Sequence, residues 1–250
     1  MKVIFLGVGE AFDKNYPNNS SLVLSEKTNL LLDCGFTVPP QLWKFNLDKD
    51  FIDAIYISHQ HADHYFGLPA LLMRMWEGGR VKPITVIAPK GFKDSFKELM
   101  NLAYSSFPEK FKFNVNIIEV ETTSKIKFND LELSFIPTVH SQSRENLAIK
   151  ITDGKSIMAY GGDGSPIANG NFYENLDLLI LETYLYDKEI IGHSSIVSAI
   201  AFAEKNDVKC LALTHMNRDF RKNDLDKIRD KIISDKVKII IPEPFGEYNL

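Results

Sequence analysis

Short apolar runs recur along the chain, and most of them stop at Gly, Pro, Asp or His. They fall at 3–6, 21–24, 30–33, 54–57, 84–88, 115–120, 131–136, 147–151, 156–160, 178–181, 210–213 and 238–241. Runs of this length, bounded by turn residues, predict β-strands. Between some of them the apolar positions change to a helical period. Leu68, Leu71, Leu72, Met75 and Trp76 follow i, i+3, i+4, i+7, i+8, with Gly78 and Gly79 as a stop. Phe92, Phe96, Leu99 and Ala103 share one face, as do Ile196, Ala199, Ile200 and Ala203, and later Leu225, Ile228 and Ile232. Ser194 or Ser195 is a candidate cap for the third of these helices, and Asn223 or Asp224 for the fourth. Many strands with few helices, arriving in meanders rather than in strict βαβ alternation, predict two sheets packed together with helices outside. The expected class is α/β, a four-layer αββα sandwich. No Pro- or Gly-rich linker, low-complexity tract or repeat divides the sequence, so 1–250 reads as a single domain.

Composition narrows this picture. The 250 residues are 44% hydrophobic and 25% charged, which supports a sizeable core and excludes disordered, fibrous and disulfide-framework chains. With 29 basic against 33 acidic residues, net −4, nonspecific coating of nucleic acid or anionic lipid is disfavoured. A local basic site remains compatible with that balance: Lys110 with Lys112, or Arg218 with Arg221 and Lys222, although a solvated face is the plainer reading. Cys34 and Cys210 each lie inside an apolar run and read as small buried hydrophobes of a reducing compartment. No apolar stretch reaches the ~18 to 20 residues that span a bilayer, and the N-terminal residues run into a strand without a cleavage pattern. The expectation is a complete cytoplasmic chain with no membrane partner.

Histidine changes the picture. The six lie at 59, 61, 64, 140, 193 and 215, three of them crowded into the loop after one apolar run, together with Asp63. Neutral imidazole and carboxylate suit Zn²⁺ and neighbouring first-row metals, and groups this dense can point into one small volume. If 59–63 is extended, His59, His61 and Asp63 share one side and a turn re-aims His64. His140, Asp163 and His215 also follow strand-like runs, the placement a composite site at a sheet edge requires. Taken singly, Asp163 in GGDGSP reads as a turn residue before a ligand, and it is the common placement of the three that raises them together.

The run SHQHADH has the H-x-H-x-D-H pattern of the metallo-β-lactamase superfamily, and His140, Asp163 and His215 follow in the order that superfamily uses. Leu6-Gly7-Val8-Gly9 with Asn19-Ser20-Ser21, Phe66-Gly67-Leu68-Pro69, Gly162-Asp163, Leu179-Ile180-Leu181-Glu182-Thr183, Gly192-His193-Ser194-Ser195 and Leu213-Thr214-His215 resemble its ribonuclease Z branch. The resemblance covers nearly the whole chain. It implies the metallo-β-lactamase fold and two divalent metal ions, with His59, His61 and His140 on one, Asp63, His64 and His215 on the other, and Asp163 between them. Zn²⁺ is the default ion, and the same ligands accept Mn²⁺ and Fe²⁺.

The same resemblance implies a metal-dependent hydrolase, a phosphodiesterase that activates water at the dinuclear site. His193, oriented by Glu182, would protonate the leaving alkoxide, and Asp63 would take the proton of the attacking water. A tRNA 3′-processing endonuclease is the nearest alternative. A lactonase, thioesterase or arylsulfatase on the same site, or a non-catalytic relative, are the others. The cysteine that the β-lactamase branch carries around Asp163 is absent, which disfavours antibiotic hydrolysis. Absent too is the branch's long tRNA-gripping arm, because the interval 141–162 is only long enough for two strands and a turn. The expected substrate is therefore a small phosphodiester or an RNA 3′ end. Ribonuclease Z-like proteins are commonly homodimers, and Met73, Met75 and Trp76 could supply an apolar interface, although their stripe also fits the core.

Overall fold

A computed structural model describes residues 1–140, 145–168 and 170–250. The chain begins with β1 (Lys2–Gly7), β2 (Ser20–Leu24), β3 (Asn29–Leu32), α1 (Val38–Phe45), β4 (Ala54–Tyr56), α2 (Ala62–Tyr65), α3 (Leu68–Glu77), β5 (Ile84–Pro89), α4 (Phe92–Tyr104) and β6 (Val115–Val120). It continues with β7 (Lys125–Phe128), β8 (Leu131–Val139), β9 (Leu147–Thr152), β10 (Ile157–Tyr160), β11 (Ser165–Pro166), β12 (Leu178–Glu182), α5 (Ile196–Lys205), β13 (Cys210–Thr214), α6 (Arg218–Asn223), α7 (Leu225–Ile228), β14 (Lys238–Ile240) and β15 (Glu247–Asn249).

The strands form two sheets. One has the order β15-β1-β2-β3-β4-β5-β6, and the other runs β11-β8-β9-β10-β12-β13-β14, with β7 on β8. Val3, Phe5, Val23, Leu30, Leu32 and Tyr56 of the first sheet pack against Leu133, Phe135, Ile149, Met158, Ile180 and Ala212 of the second. The opposite face of the first sheet, with Ile4, Leu6, Leu31 and Ile55, packs on Val38, Leu68, Leu72, Phe92 and Met100 from α1, α3 and α4. Ala159, Leu179, Leu211 and Leu213 of the second sheet pack likewise on Ile196, Ala199, Phe220 and Leu225. This is the expected αββα sandwich. Burial on both faces is why the central strands read as continuous apolar runs rather than as a polar-apolar alternation.

The α3 stripe is core: Leu68, Leu71, Leu72 and Met75 are buried, and Trp76 packs against the same cluster. Its apolar face is therefore already occupied, not a spare dimer surface. Cys34 and Cys210 are buried free thiols, as the sequence predicts. No helix among the described residues is long and apolar enough to cross a membrane.

Three strands and three helices lie outside the sequence expectation. β7 (KIKF) and β15 (EYN) are short and polar, and β11 is a two-residue pairing on β8. α1 opens on Pro39-Pro40, which pattern reading takes as a breaker although proline is tolerated in the first turn, where its missing N–H has no partner to lose. α2 is one turn inside the histidine segment, and α6 is started by Asn217, whose side chain accepts from the amides of Asp219 and Phe220. The helix expected over Leu225, Ile228 and Ile232 is the short α7 followed by a 3₁₀ turn at Arg229–Lys231, and the Asp224 side chain before it pairs with Lys227 rather than capping a backbone amide.

Ser195, rather than Ser194, caps α5. Its Oγ accepts from the Ser198 amide at 3.1 Å while Ser198 Oγ accepts from the Ser195 amide at 3.0 Å, a reciprocal box built from two serines. Ser195→Ala should lower the unfolding free energy by about 0.5–2 kcal/mol, read as a lower urea midpoint at unchanged slope. An unchanged midpoint would show that the cap carries no weight.

Candidate metal centre

Strand direction brings the site residues together. β8, β10, β12 and β13 all run the same way, because β8 and β10 are each antiparallel to β9 while β10, β12 and β13 are mutually parallel. His140, Asp163, Glu182 and His215 lie at or just beyond their C-terminal ends. In the other sheet β3 and β4 are parallel and end before Asp33 and the Ser58-His59 pair. The carboxyl ends of parallel strands are where open α/β sheets build their sites.

A first group consists of His59, His61 and His140. His61 Nδ1 is 3.0 Å from His59 Nε2 and 3.1 Å from His140 Nε2. Hydrogen bonds behind the rings set the tautomers. Ser58 Oγ gives its one proton to Asp33 Oδ2 at 2.7 Å, so it must accept at 3.0 Å from His59 Nδ1–H. His140 Nδ1–H donates to the Gly192 carbonyl at 2.8 Å. Both Nε2 atoms therefore carry lone pairs that face His61. Burial, followed by the neighbouring His64, holds the His59 pKa well below its ordinary value, so the ring stays neutral. Burial and His140 lower that of His61.

A second group is Asp63, His64, Asp163 and His215, all buried. His64 Nε2 is 3.2 Å from both Asp63 Oδ2 and Asp163 Oδ2, and His215 Nε2 is 3.5 Å and 3.3 Å from the same two oxygens. Asp163 Oδ2 also lies 4.0 Å from His59 Nε2 and 3.8 Å from His140 Nε2, so it faces both groups. Burial opposes charge on Asp63 and Asp163, yet the surrounding imidazoles hold both carboxyls well below the usual carboxylate range. For His215, burial lowers the pKa but Asp163 and Asp63 outweigh it and push it up to about 9. His64 Nε2, Asp163 Oδ1 and both His215 ring nitrogens are buried with no hydrogen-bond partner. Buried polar atoms left this way call for a partner, and imidazole lone pairs facing carboxylates are the donor set of a divalent ion. The residues fit a metal in both groups.

The segment 59–63 is not extended throughout. His61 is the N-cap of α2, and the helical turn that follows carries Asp63 and His64 to the second group while His59 and His61 face His140. Asp163 sits on a turn with two left-handed glycines, Gly162 (φ 62°) and Gly164 (φ 97°). A Cβ on the first would come within 2.6 Å of Ser58 Oγ, and one on the second within 2.6 Å of the Val139 carbonyl. The Asp163 carbonyl accepts from Thr138 Oγ1 at 2.9 Å and from Asn146 Nδ2, which pins the turn from the far side. His215 (φ 55°) and Asp33 (φ 58°) also hold left-handed backbone without being glycine, the kind of strain that collects at functional sites.

A third cluster joins Glu182 and His193 to His215. Glu182 lies opposite Thr214 in the β12–β13 pairing, so the register alone brings it beside His215. It is fully buried; its Oε1 accepts from the amides of Gly164 at 3.1 Å and Ser194 at 2.9 Å and lies 3.3 Å from His193 Nδ1. Burial lowers the His193 pKa, but Glu182 outweighs it and the net shift is upward.

Every residue singled out for the site is thus brought to this sheet edge. What sequence reasoning missed is the support behind them, Asp33 above all, with Ser58, Thr138 and Asn146. The available signal was an acid inside the run LLLDCGF at the end of a strand. Several of the candidate basic residues are engaged with other groups. Arg218 Nη1 is paired with Glu10 at 2.5 Å, and Arg221 is buried against the Val8 and Pro242 carbonyls, Glu243 and the Tyr16 ring. Lys110 lies over the Phe107 ring. Between His140 and Asp163 the chain holds β9 and β10, as expected for 141–162; Ser141, Gln142, Ser143 and Arg144 of that interval lie outside the described residues.

Known proteins share the overall sequence pattern and fold. The chain is similar to ribonuclease Z of Methanocaldococcus jannaschii, 26% identical over an alignment that covers 100% of this chain and 97% of the relative. That alignment needs 315 positions to place a 250-residue chain, so the relative carries segments with no counterpart here. The metallo-β-lactamase fold protein YhfI of Bacillus subtilis superposes with a TM-score of 0.81 at 23% identity, covering 99% of this chain and 98% of that one. Human tRNase Z, short form, superposes with a TM-score of 0.79 at 23% identity, covering 100% and 99%. The family model of the anti-Pycsar protein Apyc1 matches residues 1–234, and on a metallo-β-lactamase fold with ribonuclease Z-like sequence, this chain belongs to the Apyc1 family.

Proposed function

We propose that this ribonuclease Z-like, metal-dependent hydrolase holds two divalent ions and cleaves a small phosphodiester or a short RNA 3′ end. His59, His61 and His140 would hold one ion, and Asp63, His64 and His215 the other, with Asp163 shared. Zn²⁺, Mn²⁺ and Fe²⁺ all suit these ligands. When bound, such ions lower the pKa of water toward neutrality and offset charge on a phosphodiester's non-bridging oxygens.

The observation that carries the reading is the Glu182–His193 pair beside the ligand set, with Nδ1 3.3 Å from Glu182 Oε1. Expulsion of an alkoxide is slow at neutral pH unless a proton is delivered to it. With Nδ1 turned toward Glu182, His193 would carry the deliverable proton on Nε2, and the upward pKa shift that Glu182 causes favours that protonated form. Asp63, held ionised by its imidazole neighbours, is the acceptor for the proton of the attacking water. A lactone or thioester has less need of such an acid. Smallness of the substrate is supported by the short interval after His140 and by the pairing of Arg218 with Glu10 and Arg221 with Glu243, which withdraws two cations from contact with a phosphate backbone. The buried free thiols suit the cytoplasm.

The test is metal analysis paired with a substrate panel. We expect two ions per chain, removed by a chelator together with activity, and turnover of bis(p-nitrophenyl) phosphate. Hydrolysis only of a lactone or thioester would overturn the phosphodiesterase reading. Efficient cleavage of precursor tRNA would replace the small-substrate reading with tRNA 3′ processing.

A further inference from the structure

We infer that Tyr184 is a positioning residue for His193, its ring forming the wall that keeps the imidazole in the plane from which it serves the leaving group. The inference rests on the phosphodiesterase reading above. Tyr184 stacks on His193 with centroids 4.8 Å apart and planes at 27°. The His215 ring also lies nearly parallel to His193, 6.2 Å away at 13°, and the His140 ring meets it edge-on at 5.1 Å. The acid is thus packed against a tyrosine and two rings of the proposed ligand set.

The stacking matters because the Glu182 contact leaves the ring under-determined. Glu182 touches one edge of the imidazole, and at 3.3 Å His193 Nδ1 is not aligned for a hydrogen bond. One such contact does not stop the imidazole from tilting or swinging out, and His193 sits in a loop with its side chain 22% exposed. A ring stacked on its face blocks that movement. Tyr184 is itself firmly placed. Its amide donates to the Ser194 carbonyl at 2.8 Å and its carbonyl accepts from the Asn217 amide at 2.9 Å. One residue therefore ties the His193 loop to the His215 loop and lays its ring over the acid. The face of the ring makes the contact, so phenylalanine should serve as well as tyrosine.

The experiment compares two leaving groups. A dinucleotide expels a ribose alkoxide, which needs a proton, whereas bis(p-nitrophenyl) phosphate expels a phenolate that is stable near neutrality. For Tyr184→Ala we expect kcat on the dinucleotide to fall about tenfold further than kcat on the nitrophenyl ester, with KM and metal content close to wild type. Tyr184→Phe should restore the wild-type ratio. In crystals of metal-free Tyr184→Ala the His193 imidazole should have left its seat against Glu182. An equal fall on both substrates, or an imidazole still seated, would overturn the inference. Should the alanine variant unfold, Tyr184→Leu keeps the bulk without the flat face and gives the same comparison. Wild-type protein inactive on both esters would instead refute the phosphodiesterase reading, and this inference with it.

Discussion

His193→Ala should reduce phosphodiester turnover by about a hundred- to ten-thousand-fold and leave the metal content at its wild-type level. His193 belongs to the Glu182 cluster and not to the His59 group or the Asp63 group. Its imidazole is 3.3 Å from a fully buried carboxylate that shifts its pKa upward and so favours the protonated form. The wild-type rate should therefore decline as pH rises through the His193 pKa, since the acid form is lost there, and that alkaline limb should be missing from the variant. Metal analysis of the purified variant makes the assignment falsifiable: loss of an ion would show His193 to be a ligand. Unchanged turnover on an alkoxide substrate would remove it from the mechanism.

Asp33→Ala should be the most damaging change behind the ligands. Asp33 is fully buried, and its Oδ1 accepts from the Ser58 amide at 2.7 Å. Its Oδ2 accepts from Ser58 Oγ at 2.7 Å, His64 Nδ1 at 2.7 Å and Tyr160 Oη at 2.6 Å. Alanine would strand these donors in the core, which costs about 3–5 kcal/mol when a buried, charged network loses one member. It would also free the Ser58 hydroxyl, which accepts from His59 Nδ1–H, and the His64 ring, which donates Nδ1–H to Asp33 itself, so that neither imidazole would hold its Nε2 toward the proposed ions. Loss of such support weakens metal affinity by roughly 10- to 100-fold. Urea unfolding and metal titration read the two effects separately. Asp33→Asn, which keeps the shape and loses the charge, should fold and still bind metal more weakly. Wild-type affinity in the asparagine variant would sink the orienting role.

Much of this site was readable in one dimension because its chemistry is local. His59, His61, Asp63 and His64 fall in one short segment after an apolar run, and imidazole and carboxylate at that density have few other uses. Stripes such as Leu68, Leu71, Leu72 and Met75 announce the helices in the same way, and Ser195 announces a helix start. His140, Asp163, Glu182, His193 and His215 are scattered. They were found through motif resemblance and their common position after strands, not through any local density.

The sequence by itself determined the apolar periods, hence the strands, most helices and the two-sheet sandwich, together with the identities of the metal-suited side chains. Tertiary structure decided how those side chains divide. A turn of helix at Ala62–Tyr65 replaces the extended period and sends Asp63 and His64 to one group while His59 and His61 join His140. It also decided that Asp33 supports His64 from 31 positions away and that Arg218 is spent on Glu10 from 208 positions away. The physical reason is range. Periodicity and capping are set by neighbours within a few residues, whereas a buried carboxylate finds its donors only when strands from two sheets are packed with their ends at one edge, and that placement leaves no mark on adjacent residues.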